Sequence, residues 1–236
     1  MPLKKNWSSI APPLFWLTAT LAAFLIADAL AKAAGRRPIV NHVLIAIALL
    51  GGLLKLTGTD YQTYFNGAQF VHFLLGPATV ALAIPLYRQI NALRRSMVAL
   101  IVALLAGSAT AAVSAMLMAR LMGATTEITL SMAPKSVTTP IAMGVSEQIG
   151  GLPSLTAALV LLTGISGAVI GMAILTLLRV RDPRARGMAM GLAAHGIGTA
   201  RALQDSEQAG AFSGLAMGLN GLVTALIVPL LAGLIV

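Results

Sequence analysis

The chain has 236 residues, 58% of them hydrophobic and 10% charged, with a net charge of +9 and no cysteine. Soluble domains carry about 25% charged residues, so the composition excludes an ordinary globular protein, and the lack of cysteine excludes disulfides, thiolate catalysis and thiolate metal sites. The basic residues sit at the ends of apolar runs, which assigns the charge to membrane topology rather than to nucleic acid.

The apolar runs are continuous rather than alternating, so the spanning elements are helices and not barrel strands. The start, with Lys4 and Lys5, has the form of a basic signal-peptide leader, but the apolar run behind it continues to about Ala34 and is read as an uncleaved first span. Spans are expected at 10–33, 38–56, 97–121, 152–178, 184–203 and 209–236. Two further apolar segments, 62–90 and 127–149, are interrupted by Gly76-Pro77 and by Pro134 and Pro140.

A slide of 57 residues lays 75–121 on 132–178 and matches Pro77 with Pro134 and Gly107 with Gly164. Gly/Pro-interrupted segments at matched places in two halves point to a transporter's binding site. The expected fold class is therefore an all-α integral membrane protein of six to eight transmembrane helices. Two segments are broken, either as re-entrant hairpins or as discontinuous crossing helices, within a transporter-like internal inverted repeat. With both as hairpins, Lys4, Lys5, Lys55, Arg88, Arg94, Arg95, Arg179, Arg181, Arg184 and Arg186 share one side, while Arg36, Arg37, Arg120 and Arg201 take the other. That bias puts both termini in the cytoplasm. With both as crossing helices the bias is weaker, but the termini still share a side.

Pro134 and Pro140 cannot donate backbone hydrogen bonds and disfavour helix in the residue before them. The stretch Pro134-Lys135-Ser136-Val137-Thr138-Thr139-Pro140 is expected to be unwound. A helix restarting near Pro140 aims free N–H groups inward, and Lys135, Ser136, Thr138 and Thr139 surround them, which makes a site for a small carboxylate. The alternative is a surface loop with Lys135 reaching to headgroups. Gly76, Pro77 and Thr79 form an uncharged counterpart of backbone and hydroxyl groups. Glu147 is a candidate for carrying a coupling proton or cation, or for pairing with Lys135, or is an exposed helix end. His195, flanked by glycine, can bind substrate, shuttle a proton or simply pack. Thr199, Arg201 and Asn220 complete or gate the site, unless Arg201 pairs with Asp205 or Glu207. No metal-spaced cluster, phosphate loop or nucleophile elbow is present, so no enzyme activity, metal or cofactor is expected. Ser136 or Ser146 with His195 is the one serine–base pair available to an intramembrane enzyme.

The runs Lys135–Ala157, Ala185–Ala202, Gly210–Gly221 and Leu74–Tyr87 closely resemble the LrgB/CidB family, and the resemblance covers essentially the whole chain. It implies one LrgB-like transmembrane domain over 1–236, in the bacterial cytoplasmic (inner) membrane. Family members were described as antiholin-like proteins affecting murein hydrolase activity and lysis, encoded beside a small holin-like LrgA/CidA partner. The plant relative is a plastid glycolate/glycerate translocator, and some bacterial pairs are linked to pyruvate uptake. The resemblance also implies discontinuous crossing helices. The leading expectation is a secondary transporter of small monocarboxylates (glycolate, glycerate, pyruvate or lactate), with Glu147 or His195 taking a coupling proton. The alternative is an antiholin-like regulator acting through that partner. Small-residue helix faces make a homodimer plausible.

Overall fold

The computed structural model describes residues 13–35, 40–74, 77, 80–81, 83–88 and 90–235. All the regular structure among them is helical. Among the described residues, four helices are long and apolar enough to cross a membrane: Leu14–Ala33, Met97–Leu121, Pro153–Leu177 and Glu207–Ile235. The chain divides into two compact units, Met1–Ala81 and Leu82–Val236.

The first unit holds α1 (Pro13–Ala33), α2 (His42–Thr57) and α3 (Tyr61–Phe73). Asn41 caps α2 by accepting from the Val43 and Leu44 amides, and Gly58 ends it with a φ of +64°. Trp16 on α1 is buried and meets the Tyr64 ring of α3 edge-on at 5.9 Å. Of the expected counterpart site, Gly76 and Thr79 lie outside the described residues, and Pro77 is exposed.

The second unit begins with two short helices, α4 (Ala83–Arg88) and α5 (Ile90–Arg95), and then runs through α6 (Met97–Leu121), α7 (Thr126–Met132), α8 (Thr139–Gln148), α9 (Pro153–Leu177), α10 (Pro183–Asp205) and α11 (Glu207–Ile235). Side-chain contacts give the direction of each. Leu100 and Leu104 of α6 pack with Phe212 and Ala216 of α11, while Ala112 and Met116 pack with Val228. So α6 and α11 run parallel, from a first end of the unit to a second.

The segment α7–α8 folds back on itself. The Thr156 hydroxyl of α9 touches both the Ser131 carbonyl, at 3.0 Å, and the Ser146 hydroxyl, at 2.7 Å. A straight helix would hold Ser131 and Ser146 about 22 Å apart. The chain enters from the second end along α7, turns through Ala133–Thr138 and returns along α8.

The stretch 184–203, expected as a crossing span, is a second hairpin instead. The Arg186 Nε meets an Asp205 carboxylate oxygen at 3.0 Å, where a straight helix would separate these residues by about 28 Å. The reversal lies at Ala194 (φ −131°) and His195 (φ +40°). Close packing makes it possible. A Cβ on Gly187 would sit 2.1 Å from the Ala209 carbonyl oxygen, and one on Gly191 would sit 2.2 Å from that of Ser213. This hairpin enters from the first end, opposite to the other.

Two consequences correct the sequence-based topology. Arg201 lies on the returning limb, four residues before Asp205, and so belongs to the same end as Arg186 rather than the opposite one. And α11 begins at the arginine-rich end and finishes at the other, so its C-terminal end does not share a side with Arg179, Arg181, Arg184 and Arg186. A crossing span at 184–203 would have placed it there; a hairpin reverses the parity.

Candidate anion site where two helical hairpins meet

The helix α9 crosses the whole unit, and both hairpin tips press on its middle. Val160 packs with Val137 and Ala142 of the first tip, and its carbonyl lies 3.0 Å from His195 Nε2 of the second. Gly164 supplies the room, since a Cβ there would sit 2.7 Å from the His195 ring.

At the first tip the chain makes tight turns: the Ala133, Lys135 and Val137 amides donate to the Leu130, Met132 and Pro134 carbonyls. Thr138 is the N-cap of α8, and its side chain makes no cap hydrogen bond. Pro140 has no N–H, so the Thr139 and Ile141 amides are the first-turn donors left without an intrahelical acceptor. Thr138 and Thr139 are half-buried and Ser136 is buried. Lys135 is also half-buried, and its ammonium has one described contact, the Ser136 hydroxyl at 3.5 Å. No carboxylate pairs with it among the described residues. Glu147 is exposed near the far end of α8, eight residues beyond Thr139 and so about 12 Å along the helix. The structure therefore does not bring Glu147 to Lys135.

Asn220 of α11 fastens the two tips together. Its Nδ2 donates to the Ser136 carbonyl at 3.3 Å and to the Leu192 carbonyl at 3.2 Å. The first belongs to the turn of one hairpin, and the second is two residues before the reversal of the other. Its Oδ1 accepts from Ser108 of α6 and from Thr224. Buried amides left unpaired cost about 1–3 kcal/mol per group, and here every polar atom of the side chain is used. Thr199 ties the second hairpin to α11: its hydroxyl lies 2.8 Å from the His195 carbonyl and 2.9 Å from Ser213 Oγ. Arg201 stands apart, donating to Gln204 at 3.0 Å. Asp205 and Glu207, its alternative partners, are taken by Arg186 and Arg88.

The structure thus gathers Lys135, Ser136, Thr138, Thr139, His195 and Asn220 about the tips and leaves Arg201 and Glu147 outside. Neither Ser136 nor Ser146 hydrogen-bonds His195 among the described residues; Ser146 is held by Thr156. Sequence reasoning passed over Ser108, Ser131, Thr156 and Ser213. Only the fold shows their partners: Ser108 donates to Asn220, Ser131 accepts from the Leu152 amide, Thr156 meets the Ser131 carbonyl and the Ser146 hydroxyl, and Ser213 meets the Thr199 hydroxyl.

A family model described as LrgB-like matches residues 20–234. The chain is 40% identical over 195 residues to the uncharacterised protein YwbG of Bacillus subtilis, covering 83% of this chain and 87% of that protein. It is 31% identical over 223 residues to the antiholin-like protein LrgB of Bacillus mycoides, covering 94% of this chain and 97% of that protein. No solved structure matches.

Proposed function

The chain belongs to the LrgB-like family, and from that premise we propose that it is a secondary transporter of small monocarboxylates of the glycolate, glycerate, pyruvate and lactate type. One observation carries this: Lys135, with no carboxylate partner among the described residues, lies in the turn that leads into the first-turn amides of α8, where two opposed hairpin tips meet. Helix N-termini with an adjacent cation bind anions, and irregular backbone at membrane depth belongs where it is buried in protein or lines a cavity. The arrangement of α6 with the first hairpin, followed by α9 with the second in the opposite sense, supports an inverted-repeat transporter.

In this mechanism the carboxylate binds Lys135, the Thr139 and Ile141 amides and the Ser136, Thr138 and Thr139 hydroxyls. Asn220 holds the two tips in register, and Thr199 ties the second hairpin to α11, rather than holding substrate. His195 is the candidate for a coupling proton, since Glu147 lies away from the tips. The arginine-rich end faces the cytoplasm, in the bacterial inner membrane. Labelled glycolate, glycerate, pyruvate and lactate are offered to liposomes holding only this protein, with and without a pH gradient. Saturable uptake supports transport, and its gradient dependence reports proton coupling. No uptake of any of them by folded protein removes the single-chain transporter.

A second proposal is an antiholin-like regulator that assembles with a holin-like LrgA/CidA partner and conducts nothing. The relatives in Bacillus mycoides and Bacillus cereus that are named antiholin-like favour it over transport. Scrambling Lys135–Gly150 while partner assembly and lysis control persist would support it; restored uptake on adding the partner would return the case to transport.

A further inference from the structure

A cavity of about 420 Å³ opens at the foot of the second hairpin, lined by Thr176, Arg179, Arg181, Arg186, Asp205 and Ser206 among others. Its charge is markedly positive. Asp205 is the one carboxylate among those six residues, and Arg186 already pairs with it. The Arg186 guanidinium also reaches the Thr176 hydroxyl and the Val180 carbonyl, both at 3.2 Å. The neighbouring Asp182 and Arg184 neutralise each other at 2.6 Å. Arg179 and Arg181 are exposed and have no ion pair among the described residues.

Arg179 is placed there at a conformational cost. It ends α9 with a φ of +58°, while the Val180 amide donates to the Leu175 carbonyl. Glycine is the usual residue for that left-handed closure. Directly before it, Leu177 and Leu178 are 81% and 67% exposed at the end of a membrane-crossing helix. The cavity therefore combines a cationic pocket with an apolar flank, at the level where a spanning helix leaves the hydrocarbon.

We propose that this cavity binds the headgroup of an anionic phospholipid, with the phosphodiester against Arg179 and Arg181 and an acyl chain along Leu177 and Leu178. Basic pockets beside membrane helices on the cytoplasmic side have the chemistry for such headgroups. Arg186 and Asp205 come from the two limbs of the hairpin, so a lipid seated here braces its mouth. The site is independent of any transported substrate.

The full chain is reconstituted with phosphatidylglycerol or phosphatidylcholine, and lipid retained after detergent exchange is measured by native mass spectrometry. Phosphatidylglycerol is retained preferentially, and the preference falls about thirtyfold in the Arg179→Gln/Arg181→Gln double variant. Arg179→Gly, which relieves the positive φ and so folds readily, also lowers the preference. Equal retention of the two lipids by the unaltered protein, or a preference undiminished in either folded variant, overturns the proposal. Glycerol 3-phosphate binding as tightly as phosphatidylglycerol also overturns it, in favour of a free-phosphate site.

Discussion

The two hairpins reverse the chain by opposite means. The first spends six residues, Ala133–Thr138, in tight turns between α7 and α8, and carries a lysine and two hydroxyls there, with Thr139 following at the start of α8. The second turns at Ala194 and His195 alone, and its Gly187 and Gly191 lie against α11 with no room for a methyl group. One tip is opened by proline and leaves Lys135 and the Thr138 side chain with few internal partners. The other is closed by packing and gives its polar groups to internal partners. The proposed carboxylate site therefore rests on the first hairpin, and the tight packing on the second.

The contrast breaks most sharply at glycine. Gly191→Val drives side-chain carbon into the Ser213 carbonyl and costs about 3 kcal/mol or the fold itself, whereas Gly144→Ala in α8, where a Cβ meets nothing within 4 Å, is neutral or stabilising. Thermal denaturation in detergent checks both. Asn220→Ala strands the Ser136 and Leu192 carbonyls and lowers stability by about 2–3 kcal/mol; a loss near zero would show that the tips do not depend on this amide. Lys135→Ala has the reverse profile. It leaves stability nearly unchanged, since its one described contact is a 3.5 Å approach to Ser136, yet lowers carboxylate uptake at least about tenfold. Unchanged uptake would remove Lys135 from the site. At the second tip, His195→Ala is less stable than His195→Gly by about 1 kcal/mol, because only glycine takes φ +40° without strain.

The smallest effect is at the start of the second hairpin. Arg184 beside Asp182, by its side-chain hydrogen bonds, holds the Asp182 carboxyl below its ordinary value. A depressed folded-state pKa gives stability that is present above the unfolded value and lost as pH falls through the folded one. Asp182 is largely solvated, so this amounts to a few tenths of a kcal/mol at most. Asp182→Asn should flatten that part of the stability profile below about pH 4.

The same contrast decides what could be read in advance. Pro134 and Pro140 announce a break, because proline acts on its own backbone whatever surrounds it, and the Lys135–Pro140 cluster was visible for that reason. The reversal at His195 depends on Gly187 and Gly191 meeting Ala209 and Ser213, which are distant in sequence. A run such as 184–203 has the length of a crossing helix whether it crosses or folds back. Its charges at both ends, Arg184 and Arg186 against Arg201 and Asp205, fitted a span equally well until Arg186 was seen to reach Asp205. The role of Asn220 was half legible: its type and apolar setting marked it, but its partners are carbonyls freed by breaks that no local pattern places beside it.

Hairpin closure at 183–205 also has an implication for the order of biogenesis. Gly187 and Gly191 seat on residues translated after them, and the Leu192 carbonyl waits for Asn220. Limbs of about ten residues are too short to cross a bilayer alone. Until α11 is made, the Leu192 carbonyl lacks its Asn220 partner and the two glycines lack their seats. The final packing of this hairpin is therefore completed by the last helix rather than by its own hydrophobicity.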